Sequence, residues 1–186
     1  MKVVARPSQS GFTLVELLIV VIILALLAAI VVPQFASSTD DAKVASLDST
    51  LSNVRSAIDL YYQQHGEYPA AKAATTSACT NGTAGTGAAD SSDAFLDQLA
   101  YYTNADGEAC TQQNGTAFPY GPYLKKRELP NNPITSNATL RVVNTGDLNL
   151  AGSNPAAGWA FDDVSGKFIA DDSVNTDANG NTFDTH

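Results

Sequence analysis

The chain has 186 residues and a formal net charge of −9 at pH 7, which is enough length for one domain, or for one domain and a membrane anchor. An acidic chain repels nucleic-acid phosphates, so we predict no nucleic-acid partner. His65 and His186 are the only histidines, the two cysteines are too few for a zinc site, and no nucleophile motif or phosphate-binding loop is present. The composition and motifs therefore predict that the protein is not an enzyme.

A long apolar segment lies close to the N-terminus. Residues 17–32 are all apolar, and extension back to Phe12 adds only two polar side chains, Thr13 and Glu16. At about 1.5 Å per residue, a helix over 12–32 would be roughly 30 Å long, the thickness of a bilayer core. It lacks the polar face of a soluble core helix. We predict a membrane-spanning helix; an ordinary secretory signal with a shorter apolar region is the alternative.

The charges around this segment predict its orientation. Lys2 and Arg6 precede it and Asp40 and Asp41 follow it, so the positive-inside rule places the N-terminus in the cytoplasm and the remainder outside. Glu16 stands at the start of the span, where a carboxylate costs about 2.5–3.5 kcal/mol on insertion scales, and such residues are usually functional. The alternative is a glutamate that reaches the interface and needs no partner.

The string SGFTLVELLIVVIILALLAAIVVPQF at 10–35 resembles the N-terminus of type IV prepilins and type II secretion pseudopilins. In that family a prepilin peptidase cuts after the glycine and methylates the new N-terminus, which implies cleavage between Gly11 and Phe12 and N-methylation of Phe12. The resemblance also implies that Glu16 pairs with the Phe12 ammonium of a neighbouring subunit, because pairing offsets the desolvation of both charges. Pro33 would bend the helix.

Beyond residue 33 the pattern becomes amphipathic. Apolar side chains recur at steps of three and four up to Tyr61, which predicts that the helix continues to about Gln64 and stops at His65 and Gly66. The predicted organisation is a leader at 1–11, a transmembrane and assembly helix at 12–33, an amphipathic helix at 34–65, and a globular head at 66–186 with a variable loop at 70–114 and a C-terminal β-sheet at 139–170.

The head carries signs of one short helix and three strands. Residues 93–103 have helical spacing, 139–144 read as a strand, and 158–163 and 166–172 read as a hairpin. With the resemblance, these elements predict an α+β fold of the pilin-like type, in which the long N-terminal helix packs on a small antiparallel sheet.

Three further features of the head carry predictions. An even cysteine count in an exported chain predicts a Cys79–Cys110 disulfide, with two unpaired thiols as the alternative. Lys125, Lys126 and Arg127 form a basic cluster, read either as a solvated turn or as a contact with an acidic neighbouring subunit. Alternating oxygen side chains suit calcium, with a disordered acidic tail as the alternative. The candidate calcium ligands are Asp171, Asp172, Asp177, Asn179 and Asp184.

Together these features predict a structural subunit of a type IV pilin-like filament, with a type II secretion pseudopilin favoured. A major or minor pilin of a type IV pilus, serving adhesion, motility or DNA uptake, is the first alternative, and a membrane-anchored extracytoplasmic binding module is the second. The implied location is the bacterial inner membrane, with the head in the periplasm, and then a periplasmic pseudopilus or a surface pilus. The implied partners are copies of the chain, minor pilins or pseudopilins, the prepilin peptidase, the inner-membrane assembly platform and the lipid bilayer.

Overall fold

The structure is a computed structural model that describes residues 12–153 and 157–186, with only the backbone described over 32–38. The chain divides into two compact units, and the boundary falls between Ala42 and Lys43. The described elements are an N-terminal apolar helix, a second short helix and small sheets, so the fold class is α+β as predicted.

The first helix, α1, runs from Leu14 to His65. It remains helical through Pro33, so the predicted division between 33 and 34 is not a break in secondary structure. Its end agrees with the predicted stop: Gly66 adopts a left-handed φ of 74° and its N–H donates to the carbonyl of Tyr62 at 2.8 Å. Glycine suits this position because it has no Cβ to disfavour positive φ.

The part of α1 in the second unit is amphipathic, as its spacing predicted. Every third or fourth residue is buried, because one face of this helix packs against the head. That buried face consists of Leu47, Leu51, Val54, Ile58 and Tyr61, each with at most 3% of its surface exposed.

The second helix, α2, spans Ser92–Ala100. Ser91 caps it by accepting a hydrogen bond from the N–H of Ala94 at 3.1 Å, which satisfies one of the helix's open donors. Phe95 is fully buried, and its ring packs 4.8 Å from that of Phe161.

In the part of the chain that the structure describes, five short strands form two sheets. Strand β1 (Tyr102–Thr103) pairs antiparallel with β2 (Ala109–Cys110). The sequence predicted neither strand: β1 occupies the end of the segment 93–103 that was predicted as helical, and β2 lies in the predicted variable loop at 70–114. The main sheet contains β3 (Leu140–Val143), β4 (Trp159–Asp162) and β5 (Phe168–Ala170) in the order β3-β4-β5.

The main sheet is mixed, whereas the sequence predicted an antiparallel one. The predicted hairpin of β4 and β5 is antiparallel, but β3 pairs parallel with β4 in a register that places Val143 opposite Asp162. A parallel pair needs a long crossover, and residues 144–158 provide it. This sheet supplies the aromatic core: Trp159, Phe161 and Phe168 are at most 1% exposed.

Candidate functional site

The N-terminus of α1 is closed by a capping box. Glu16 Oε2 accepts hydrogen bonds from the backbone N–H of Thr13 at 2.9 Å and from its hydroxyl at 2.6 Å. In return, the Glu16 N–H donates to Thr13 Oγ1 at 3.3 Å. The sequence analysis missed this role, although a threonine followed three residues later by glutamate is its signature. Glu16 therefore serves the helix end within its own chain as well as carrying the charge expected to serve assembly.

Beyond Glu16, the helix behind this cap is apolar on every side. The segment Leu14–Val31 is long and apolar enough to cross a membrane, and none of it is buried within the chain. Its large apolar side chains are between 43% and 84% exposed. Isolated surface leucines are common, but a contiguous apolar surface of this size indicates contact with lipid or protein.

The other residues predicted to take part in processing and assembly are only partly described. Phe12 is 80% exposed, and Gly11 lies outside the described residues. Pro33 is within α1, where the backbone alone is described. The cleavage site and the helix bend therefore stay predictions.

In the head, Cys79 and Cys110 form the predicted disulfide, with their Cα atoms 5.5 Å apart. Backbone hydrogen bonds hold the loop near the bridge: the N–H of Gly85 donates to the carbonyl of Ala109 at 2.8 Å, and that of Thr111 to Thr83 at 3.0 Å. The disulfide thus lies within the variable loop at 70–114 and links Cys79 to strand β2.

Arg127, from the predicted basic cluster, lies against α2. Its guanidinium donates to Asp97, whose carboxylate is 1% exposed, and to Asp93 Oδ1 at 2.8 Å. The hydrogen bonds to Asp97 and Asp93 raise the pKa of Arg127. Lys126 pairs with exposed Glu128, at 3.6 Å. At least one residue of the cluster therefore has a structural role, because Arg127 neutralises the buried carboxylate of Asp97.

The predicted calcium ligands are engaged with separate protein groups. Asp171 forms a two-point ion pair with Arg141, at 2.7 Å and 3.1 Å. The remaining carboxylates accept hydrogen bonds nearby: Asp172 from the N–H groups of Val174 and Asn175, Asp177 from those of Asn179 and Asn181, and Asp184 from that of Gly152. Within residues 12–153 and 157–186, no group of three or more His, Cys, Asp or Glu side chains is arranged to hold a metal ion.

The acidic tail is folded onto the head. Phe183 is 5% exposed and lies in a short 3-10 helix, Phe183–Thr185. Arg55 of α1 donates to the carbonyl of Phe168 at 2.9 Å and to that of His186 at 2.7 Å. This arginine joins α1, β5 and the tail, so the alternative of a disordered acidic tail does not describe it.

Two adjacent aspartates at the end of β4 differ sharply. The Asp162 carboxylate accepts hydrogen bonds from Thr145, Gly146, Asp147, Val164 and Ser165. Asp163 is 3% exposed, and neither of its carboxyl oxygens meets a donor in the described part of the chain. Burial, and then contact with the carboxyl of Asp90, raise the pKa of Asp163 to about 7. Nothing in the sequence separated the two residues, because both look like polar positions at a turn.

Comparison with known families finds one match, at the N-terminus. Residues 6–32 match the family described as the prokaryotic N-terminal methylation motif, a stretch that contains Gly11, Phe12 and Glu16. No solved structure matches the chain.

Several curated proteins are similar to part of the chain. It is 43% identical over 64 residues to the type II secretion system core protein G of Pseudomonas aeruginosa, a match that covers 34% of this chain and 45% of that protein. It is 40% identical over 61 residues to a fimbrial protein of Neisseria meningitidis serogroup B, covering 33% of this chain and 36% of that protein. It is 49% identical over 47 residues to a type IV narrow pilus major component of Thermus thermophilus, a match that covers 25% of this chain and 40% of that protein. The chain thus spans less than half the length of each of these relatives.

Proposed function

We propose that this chain, a member of the pilin-like family, is a structural subunit of a helical filament, most simply the pseudopilus of a type II secretion system. The observation that supports this function is the apolar segment Leu14–Val31, of which none is buried within the chain. Such a surface needs an apolar partner. Lipid provides one before assembly, and the same helix of neighbouring subunits provides one afterwards.

The first step of the proposed function is processing. A prepilin peptidase would cut between Gly11 and Phe12, remove Lys2 and Arg6, and methylate the amine of Phe12. Intact-mass measurement and N-terminal sequencing of the native protein test this step. The expected product begins at N-methylated Phe12, and retention of Met1 or a start beyond the apolar segment would contradict it.

Before assembly the chain would be an inner-membrane protein. The basic leader is expected in the cytoplasm and the head in the periplasm, an orientation consistent with the predicted Cys79–Cys110 bridge, because disulfides persist in oxidising compartments. The inner-membrane assembly platform and minor pseudopilins are the partners expected there.

Cleavage and assembly would be coupled through charge. Removal of the leader leaves an ammonium at Phe12, and Glu16 carries the carboxylate that would neutralise it in the next subunit. The capping box leaves room for this pairing, because the described hydrogen bonds from Thr13 all reach one carboxylate oxygen, Oε2. A buried ion pair that loses one partner costs about 3–5 kcal/mol, so the pairing would also fix the axial register between subunits.

A type IV pilus is the second candidate, and the similarity to a fimbrial protein and to a narrow pilus component favours it. Deletion of the gene, with complementation, separates the two systems. Loss of secreted proteins from the medium with surface filaments unchanged supports the pseudopilus, whereas loss of surface filaments with normal secretion supports the pilus. Retention of both, with the chain found only as a membrane-anchored monomer, would support an anchored binding module instead.

A further inference from the structure

An exposed turn over residues 114–118 carries an Asn-Gly step. The ends of the turn are joined by backbone hydrogen bonds, because the N–H groups of Ala117 and Phe118 donate to the carbonyl of Asn114 at 3.0 Å and 2.7 Å. Asn114 and Gly115 are exposed, and both line an open cleft of about 330 Å³. Water therefore reaches both residues of the step.

The chemistry of an Asn-Gly step makes such a turn reactive. The backbone nitrogen of Gly115 can attack Cγ of the preceding asparagine and close a succinimide ring. Glycine favours this closure because it has no Cβ to crowd the ring and its backbone is little restricted. A Cβ built on Gly115 would meet no atom within 4 Å beyond the adjoining residues, so the fold does not confine the backbone at this position.

The side chain of Asn114 is polarised for this attack. The Thr116 hydroxyl donates to Asn114 Oδ1 at 3.1 Å, and the Thr116 N–H donates to the same oxygen at 3.4 Å. These two donors would stabilise the negative charge that forms on Oδ1 as the ring closes. In the described part of the chain, neither the Gly115 N–H nor Asn114 Nδ2 donates to a protein group. The attacking and the leaving nitrogen are therefore both open.

The Asn-Gly step at 179–180 lies in a turn that occupies both reacting nitrogens. The Gly180 N–H donates to the carbonyl of Asp177 at 3.1 Å, and Asn179 Nδ2 donates to the Asp177 carboxylate at 3.3 Å. Ring closure at this step must break both hydrogen bonds, so the step should react more slowly in the folded chain than in the unfolded chain.

The Asn-Gly step at 81–82 is confined by packing. A Cβ built on Gly82 would lie 2.7 Å from Cγ of Gln112 and 2.8 Å from the hydroxyl oxygen of Thr111. The next residue, Thr83, accepts a hydrogen bond from the Thr111 N–H at 3.0 Å and donates its own N–H to the Thr111 hydroxyl at 2.8 Å. The backbone after the asparagine is therefore held in place, which opposes the rotation that ring closure needs.

We infer that Asn114 is a site of spontaneous deamidation and that it reacts before Asn81 and Asn179 in the folded chain. The Gly115 nitrogen forms a bond to Asn114 Cγ, the Cγ–Nδ2 bond breaks, and ammonia leaves with the proton that Gly115 loses. Water then opens the succinimide at either carbonyl, which gives aspartate or isoaspartate at position 114. Water is the co-reactant, and the product places a negative charge on the cleft.

The test uses the full chain purified in detergent micelles and needs no filament assembly, so its outcome is independent of the proposed function. Folded and denaturant-unfolded samples are held at pH 8 and digested with pepsin at acidic pH, which prevents deamidation during work-up. Mass spectrometry of the fragments reports the exchange of NH2 for OH at each asparagine. Asn114 should react first in the folded chain. Folding should slow Asn179 by at least about fivefold, the effect of an ordinary hydrogen bond, and should also slow Asn81.

The variant Gly115→Ala locates the reaction. It should slow the deamidation of Asn114 by about tenfold or more, because the added Cβ crowds the ring, and the open space around this position lets the variant fold. Asn81 and Asn179 are internal controls that should keep their wild-type rates. Unmodified Asn114 in the folded chain after the unfolded chain has reacted, faster reaction of either control than of Asn114 in the folded chain, or an unchanged rate in Gly115→Ala would overturn the proposal.

Discussion

The two parts of helix α1 have opposite relations to the rest of the chain. From Leu14 to Val31 every side chain is apolar except Glu16, and none of this segment is buried. Between Leu47 and Tyr61 the helix has one buried apolar face, whose large side chains are each 3% exposed or less: Leu47, Leu51, Val54, Ile58 and Tyr61. A helix with one apolar face can be satisfied by its own domain, whereas one that is apolar all round needs partners from outside the chain. The contrast assigns stability to the second part and assembly to the first.

The largest expected effect comes from truncating the buried face. Leu51→Ala should lower the free energy of unfolding of the head by about 2–5 kcal/mol, because it removes buried methyl groups and leaves a cavity. Leu51 is 1% exposed and Leu60 is 45% exposed, so Leu60→Ala is a matched control that should change stability by about 0.5 kcal/mol or less. The measurement is denaturant unfolding of the full chain in micelles, monitored through Trp159.

A leucine-to-alanine substitution in the apolar segment tests whether that part of α1 contributes to the stability of the head. Leu26 is 64% exposed, and Leu26→Ala should leave the unfolding of the head unchanged. A loss of head stability as large as that of Leu51→Ala would show that the first part of α1 also stabilises the head, which contradicts the contrast drawn above.

The disulfide should have the next largest effect, and only in the head. It joins residues 31 positions apart, and closing a loop of this length stabilises by about 3–4 kcal/mol in the chain-entropy model. The double variant Cys79→Ala/Cys110→Ala should therefore lose about 2–4 kcal/mol of unfolding free energy and unfold at a lower denaturant concentration. Non-reducing peptide mass spectrometry of the native protein checks the pairing, and two freely alkylated thiols would contradict it.

A smaller effect concerns His65, at the end of α1. Its ring stacks on Tyr61 with centroids 3.9 Å apart, and its Nε2 lies 3.0 Å from the hydroxyl of Thr103. Burial lowers the pKa of His65 below its usual value of 6.5, so the unfolded chain binds the proton more readily than the folded chain. This contribution to stability is complete above pH 6.5 and is lost as pH falls from 6.5 through the folded pKa.

The variant His65→Gln removes the pH-dependent contribution of His65 to stability. Asp163 titrates in the same range with the opposite sign, because its raised pKa makes the folded chain bind the proton more readily. The comparison is therefore between wild type and variant at each pH rather than along one curve. The stability difference between wild type and His65→Gln should shift in favour of the variant as pH falls from 7 to 5, and a constant difference would contradict the prediction.

The sequence predicted well where a local pattern determines structure. The stripe from Leu47 to Tyr61 has helical spacing, the hairpin of β4 and β5 follows alternation and a turn, and the N-terminal string matches the prokaryotic N-terminal methylation motif. Each of these depends on residues close together in the chain, so the physical cause is visible in the sequence.

Features set by distant contacts could not be predicted in this way. The two-residue strands β1 and β2 are too short to show a period, and no local pattern in the sequence sets the parallel pairing of β3 with β4. Arg127 looked like part of a solvated basic cluster until the fold placed it on the buried carboxylate of Asp97. Asp162 and Asp163 are adjacent and identical in type, and only the structure shows that one is fully bonded while the other has no donor in the described chain.

The central claim is that the charge of Glu16, rather than its place in the capping box, allows the exposed part of α1 to assemble. Glu16→Gln keeps a group able to cap Thr13, since glutamine also serves in capping boxes, but loses the charge. Thr13→Ala removes the cap and keeps the charge. Both variants should be inserted, and cleaved as the wild type is, with unchanged head stability. Glu16→Ala removes both the cap and the charge, so it gives the lowest filament yield against which the other variants are compared.

The decisive measurement is the amount of filament recovered by shear fractionation and counted by electron microscopy, from cells that carry the assembly machinery and express each variant at matched levels. Glu16→Gln should yield at least about tenfold fewer filaments than wild type, because the Phe12 ammonium would enter the filament core unpaired at every subunit. Thr13→Ala should assemble at close to the wild-type level. Wild-type numbers of filaments from Glu16→Gln, or equal losses in Glu16→Gln and Thr13→Ala, would contradict the account.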